Sequence, residues 1–210
     1  MYKFDPTLYF ITDSTGLSEA DFLYKVECAL DGGATMIQLR EKDRTTREYI
    51  RLANRVHVIA HEFHVPLIID DRVDVALATG AEGVHVGQTD MPVAIARRLM
   101  GPDRIVGATT KTASQAAEAY EQGADYLGVG AAFATGSKTD VNVISHGIYS
   151  EICSNVEIPV VAIGGIDADN IAELKGSGIS GAAVISAVFA ADDIEAAARK
   201  LKVRIAEAIS

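Results

Sequence analysis

A strand-then-helix rhythm, sounded eight times, constrains this chain more than any other feature of its sequence. Leu8-Tyr9-Phe10-Ile11-Thr12 is an apolar, β-rich run ended by Asp13, and Leu17 to Leu30 then carries apolar residues at helical spacing until Gly32-Gly33 stops it. The pattern returns at Met36 to Leu39 before Arg47 to Glu62, and at Pro66 to Ile69 before Val73 to Ala78. Gly83 to Val86 and Arg104 to Gly107 are shorter strands, followed by helical segments over Val93 to Met100 and Ser114 to Gln122. Tyr126 to Val129, Pro159 to Ile163 and Ala182 to Ile185 complete the set, with helices expected near His146 to Ser154, Asn170 to Lys175 and Ile194 to Ala208. Gly33-Ala34, Gly80-Ala81 and Gly123-Ala124 each close a helix ahead of a strand, with Gly178 in a similar place; glycine there accepts the left-handed turn that ends a helix. Strands joined through helices run parallel, and the economical closure is an α/β fold of the (β/α)8 TIM-barrel type. A doubly wound open sheet is the alternative. It fits less well, because no Gly-x-Gly-x-x-Gly opens the first helix and polar residues follow nearly every strand, as a shared barrel mouth requires.

A length of 210 residues, an apolar share of 49% and the lack of any linker-like tract predict one barrel domain over residues 1–210. The amino-terminal residues have no signal-like apolar core, and no stretch approaches the roughly 18 uninterrupted apolar residues of a membrane span, so the expected location is cytoplasmic. A net charge of −10 and a pI near 4.9 argue against nucleic acid or an anionic membrane as partner. A homo-oligomer is compatible with the sequence, which does not specify one. Cys28 and Cys153 read as small hydrophobes on outer helices rather than as a disulfide or metal pair. On so acidic a chain, a local gathering of cations marks a site.

Such a gathering follows the second strand. Gln38, Arg40 and Lys42 lie two apart, so an extended segment points them to one side, offering an amide, a planar guanidinium fork and a mobile ammonium to an anion with several oxygens. Salt-bridged ends of a solvated strand would read the same way, so neighbouring strand ends decide. The third strand leads into Asp70-Asp71-Arg72 and the fourth into Gly87-Gln88-Thr89-Asp90. Taken singly, Asp71 and Asp90 read first as helix caps; taken together, they are hard oxygen ligands from adjacent strand ends, suited to Mg2+. The fifth strand gives Thr109-Thr110-Lys111, and the sixth a long polar segment holding Thr135, Ser137 and Lys138, expected to act as a lid or to be a disordered insertion. Gly164-Gly165 after the seventh strand and Ile185-Ser186 after the eighth stand where barrels commonly hold a phosphate. His57, His61 and His64 lack zinc spacing and are expected as surface or packing residues; His85 is expected as a satisfied histidine inside the barrel.

These motifs together resemble the thiamine phosphate synthase family over nearly the whole chain, through Leu8 to Asp13, Gln38-Leu39-Arg40-Glu41-Lys42, Asp71 to Leu77, Gly83 to Asp90, Gly123 to Gly130 and Ala162 to Ile166. The resemblance implies a Mg2+-dependent transferase that joins hydroxymethylpyrimidine diphosphate to thiazole phosphate, releasing diphosphate. It implies that Asp71 and Asp90 hold Mg2+, that Arg40, Lys42, Thr109, Thr135, Ser137 and Lys138 grip the diphosphate, and that Gln38 helps place the pyrimidine. Arg40, Lys42 and Lys138 would be the catalytic cations, and Gly165, Ile185 and Ser186 would seat the thiazole phosphate. The implied mechanism is dissociative, with diphosphate leaving before the thiazole nitrogen attacks. Asp70 stands where the family usually has Asn, and Ala131, Ala134 and Gly136 replace the usual prolines and Glu of the sixth loop. Two other readings are weighed against this one: a thiazole tautomerase, which would need a His in the strand-five loop, and a non-catalytic binder of thiazole phosphate.

Overall fold

The computed structural model of the protein describes residues 3–134 and 143–210. Eight strands pair in chain order and in parallel, the last returning to the first, so the sheet is a closed barrel. They are β1 (Leu8–Ile11), β2 (Met36–Leu39), β3 (Leu67–Asp70), β4 (Gly83–Val86), β5 (Ile105–Thr110), β6 (Tyr126–Gly130), β7 (Val160–Ile163) and β8 (Gly181–Val184). Around them run α1 (Glu19–Asp31), α2 (Thr46–Glu62), α3 (Val73–Thr79), α4 (Val93–Met100), α5 (Ala113–Glu121), α6 (Gly147–Asn155), the short α7 (Ser186–Phe189) and α8 (Ile194–Ile209). The TIM-barrel expectation is met.

Both faces of every strand are covered, which is why the strands read as continuous apolar runs rather than as alternating ones. Residues such as Leu8, Phe10, Ile37, Leu39 and Ile69 point outward into the layer shared with the helices, while Tyr9, Ile11, Met36, Ile68, Ile105, Tyr126, Val161 and Ala183 pack together in the interior. Each fully buried Leu, Ile or Phe among them contributes roughly 1.5–3 kcal/mol relative to exposure. Gly33, Gly80, Gly123 and Gly178 all have positive φ, so the repeated glycine does the backbone work that its spacing predicted.

The seventh unit departs from expectation. In place of an α-helix over Asn170 to Lys175 there is one 3-10 turn, Ile171–Leu174. Asp167 accepts the backbone N–H groups of Asp169 and Asn170 on one side, and Gly176 turns left-handed on the other, leaving too few residues to repay the cost of starting a helix. The eighth strand also ends one residue early, because Ile185 turns out of the extended conformation to open α7.

Outside the barrel, His57 Nε2 lies 3.0 Å from Glu82 Oε1, and the other Glu82 oxygen accepts the Leu67 N–H at 2.9 Å, so His57 serves packing. His64 lies just past α2 with a left-handed backbone. Cys28 and Cys153 are half-buried and free. Among the described residues, no helix is long and apolar enough to cross a membrane.

Candidate active site at the carboxyl ends of the strands

Register brings the polar groups together. Gln38 is opposite Ile68 and Leu39 opposite Ile69, so the next step along each strand sets Arg40 beside Asp70. Arg40 Nε is 3.9 Å from Asp70 Oδ2, and Lys42 Nζ is 2.9 Å from the same oxygen while also contacting Asp71. The two cations predicted to converge do so, on a carboxylate. Gln38 points the same way but deeper, its Nε2 donating to the Tyr9 hydroxyl at 2.7 Å inside the barrel.

Asp70 is only 8% exposed. Burial, then the charge of Asp71, pushes its carboxyl above the usual carboxylate range, against the pull of Lys42 and Arg40. Burial opposes the charge of Lys42 in turn, yet Asp71 and Asp70 together outweigh it and hold the ammonium above its ordinary value. The result is a tight group of two cations and two carboxylates in which no charge is left alone.

Asp71 and Asp90 do not cap helices, which corrects the reading that each residue favours alone. The residue before α3 is Arg72 and the residue before α4 is Pro92, and neither helix has a side-chain cap. By contrast, α1, α2 and α8 begin with working caps from Ser18, Thr45 and Asp193. Asp71 instead adopts φ +60 while its N–H donates to the His85 carbonyl at 2.8 Å. A left-handed conformation at a residue with a Cβ costs of order 1–3 kcal/mol, though least for Asp and Asn, and such conformations gather at functional sites. Asp90 Oδ2 accepts the Gly87 N–H at 2.9 Å, and its carboxyl lies within hydrogen-bonding reach of Asp71. Burial, then that proximity, raises its pKa.

Two carboxylates sharing one place need either a proton or a cation between them. Among the described residues no group of three or more His, Cys, Asp or Glu side chains is arranged to hold a metal ion. Asp71 and Asp90 together offer a pair of hard oxygen donors, and such a pair fits Mg2+, which keeps several waters and takes further oxygens from a phosphate ligand.

Thr109 is half-buried at the end of β5, its Oγ1 2.8 Å from His85 Nε2 and its carbonyl accepting from Gln88 Nε2 at 2.7 Å. Across the mouth, Gly164 and Gly165 have φ of +100 and +65, and a Cβ on Gly165 would run into the backbone of Phe133 and Ala134. Asn170 Nδ2 braces the Gly165 carbonyl at 2.8 Å. Ile185 precedes α7 and Ser186, its first residue, is exposed. Thr135, Ser137 and Lys138 lie outside the described residues, as do residues 135–142 of the expected lid.

Residues 8–188 match the model of a family described as thiamine monophosphate synthase. The chain belongs to the thiamine monophosphate synthase family. A thiamine-phosphate synthase of Ruminiclostridium cellulolyticum is 47% identical over 199 residues, covering 95% of each protein. That of Clostridium beijerinckii is 47% identical over 200 residues, covering 95% of this chain and 96% of its own. The solved thiamine phosphate pyrophosphorylase of Pyrococcus furiosus superposes with a TM-score of 0.88 at 41% identity, over 97% of both chains.

In this member of the synthase family, three groups near the site carried no clear sequence signal. Tyr9 and Tyr126 sit inside apolar runs and were indistinguishable from core. Glu41 lies within the Gln38 to Lys42 motif; its Oε2 accepts from Ser14 Oγ and Arg44 Nε, both at 2.8 Å, tying the loops after β1 and β2 together, while its Oε1 is buried with no hydrogen-bond partner among the described residues. His85, expected as a satisfied interior histidine, is one: Nδ1 meets the Tyr126 hydroxyl at 2.9 Å and Nε2 meets Thr109.

Proposed function

We propose that this chain is a Mg2+-dependent thiamine phosphate synthase, condensing hydroxymethylpyrimidine diphosphate with thiazole phosphate. Family membership supports the transferase activity. The single observation that carries the metal and leaving-group chemistry is the juxtaposition of Lys42, Arg40, Asp70, Asp71 and Asp90 at one side of the barrel mouth.

In the first step the bond from the pyrimidine methylene carbon to the diphosphate oxygen breaks, and its electron pair leaves with diphosphate. Arg40 and Lys42, with Lys138 of the long loop, oppose the negative charge that grows on the leaving oxygens, and Thr109, Thr135 and Ser137 donate to them. Asp71 and Asp90 would hold Mg2+, which when bound neutralises diphosphate charge as a Lewis acid. Gln38 orients the pyrimidine from the barrel interior. In the second step the thiazole nitrogen donates its lone pair to the methylene carbon, while Gly165, Ile185 and Ser186 seat the thiazole phosphate opposite. No protein nucleophile takes part. The end of β5 and the residue after it read Thr109-Thr110-Lys111, where a tautomerase would need His.

Mixing the two substrates with Mg2+ and the purified chain should yield thiamine phosphate and free diphosphate in equal amounts. Thiazole phosphate bound with no turnover in the presence of Mg2+ would support the binding protein instead.

A further inference from the structure

Five side chains from five strands form one unbroken hydrogen-bonded line through the barrel interior. Gln38 Nε2 donates to Tyr9 Oη at 2.7 Å, Tyr9 Oη is 2.7 Å from Tyr126 Oη, Tyr126 Oη is 2.9 Å from His85 Nδ1, and His85 Nε2 is 2.8 Å from Thr109 Oγ1. Tyr9 and Tyr126 are essentially fully buried, and burial, before any other cause, raises both phenols well above their usual range, so each carries its proton. Their rings meet edge to face at 5.6 Å. Gly107 makes room for them, since a Cβ there would strike the Tyr126 ring.

Each hydroxyl in such a line has one proton, so the donors must be ordered. With the Gln38 amide donating inward, Tyr9 must give its proton to Tyr126; otherwise that proton is buried without an acceptor in the line, which leaves its desolvation uncompensated. Tyr126 then donates to His85 Nδ1, the imidazole carries its hydrogen on Nε2, and Nε2–H donates to Thr109. The Thr109 hydroxyl is left to turn its own proton toward the mouth. Turning the Gln38 amide over reverses every bond: His85 becomes the Nδ1–H tautomer and Thr109 spends its proton inward. The two ends of the line are therefore not independent. An anion beside Thr109 selects the first order, because it needs a donor.

We propose that Tyr126 is a positioning residue that couples the Gln38 amide to the Thr109 hydroxyl through His85, fixing the line in the order that aims the Thr109 proton at the diphosphate and the Gln38 carbonyl oxygen at the pyrimidine. The proposal deepens the synthase reading and rests on it for the identity of the ligand. The line itself can be tested without substrate. In the wild-type protein with Mg2+ and inorganic diphosphate bound at neutral pH, 15N NMR of the His85 ring should show one neutral tautomer, hydrogen on Nε2. Tyr126→Phe keeps the ring and removes the link, so the His85 signals should shift to a mixture of tautomers. The Michaelis constant for hydroxymethylpyrimidine diphosphate should rise roughly three- to tenfold, the worth of one hydrogen bond, with that for thiazole phosphate unchanged. Tyr9→Phe cuts the same line elsewhere, so Tyr9→Phe/Tyr126→Phe should cost no more than either change alone. An imidazolium or an Nδ1–H tautomer in the wild type so loaded, a tautomer unmoved by Tyr126→Phe, or additive kinetic losses would each overturn the coupling. A chain with the expected tautomer and no synthase activity would sink the functional reading and leave the line standing.

Discussion

Asp70 is the residue whose chemistry is least conventional for the family, and its surroundings explain how the site tolerates it. A bare carboxylate about 4 Å from a diphosphate oxygen would be repelled by very roughly 4 kcal/mol per charge pair at an effective dielectric near 20. Here Asp70 is paired with Lys42 and Arg40, so it competes with a diphosphate for both cations. Asp70→Asn keeps the shape, removes the competitor and leaves Lys42 bound to Asp71. The Michaelis constant for the pyrimidine diphosphate should then stay level or fall, with more Mg2+ needed for half-maximal rate. Steady-state kinetics across a Mg2+ series would show it; a large loss of turnover in a folded Asp70→Asn protein would mean that Asp70 acts in the reaction itself. At the same scale, Asp71→Ala should abolish turnover while the fold survives with a modestly lower melting temperature, since Asp71 supports no helix start but Ala tolerates its left-handed backbone less well. Activity persisting in that variant or in EDTA would remove the metal from the mechanism.

At the scale of elements, the loops after β7 and β8 should act on one substrate and those after β2 to β4 on the other. Ser186→Ala should raise the Michaelis constant for thiazole phosphate several-fold, as the loss of one charged-acceptor hydrogen bond does, and leave that for the diphosphate unchanged. Equal changes for both substrates would argue against two separate anion sites. Thr45→Ala serves as a contrast. It breaks the capping box with Glu48 at the start of α2, where the Thr45 hydroxyl bonds Glu48 rather than a group placed at the site, and should cost about 1 kcal/mol in a melting experiment with both Michaelis constants intact. The strands, their order of charge at the mouth and the convergence of Arg40 and Lys42 were legible because parallel strands carry their polar residues at one end. The inward set was not. In a strand buried on both faces, Tyr9 and Phe10 look alike, and only closure of the barrel decides that Tyr9 faces in toward Gln38 while Phe10 faces the helices. Asp71 and Asp90 were ambiguous for a related reason: an Asp ahead of a helix is a cap by default, and only the tertiary approach of β3 to β4 draws both away from that role.

For the whole molecule, the site is a place where the fold forgoes stability. Asp70 and Asp90 both have pKa values raised in the folded state, chiefly by burial. Between the unfolded and folded pKa values the folded chain binds more protons, so stability falls as pH rises through that window; what is present below the ordinary carboxylate pKa is lost at neutral pH. A cation that binds only the folded state offsets this. Mg2+ with inorganic diphosphate at a hundred times their dissociation constant would add about 2.7 kcal/mol. For a domain of this size that is roughly 5–10 °C in melting temperature. Asp90→Asn removes one of the two adjoining carboxylates and leaves α4 as uncapped as before. Its melting temperature without metal should therefore equal or exceed that of the wild type at pH 7, should converge with it in acid, and should show little of the rise on adding Mg2+ and diphosphate. A variant that melts lower than the wild type without metal, or that keeps the full rise, would mean that Asp90 stabilises the fold and that the cation sits elsewhere.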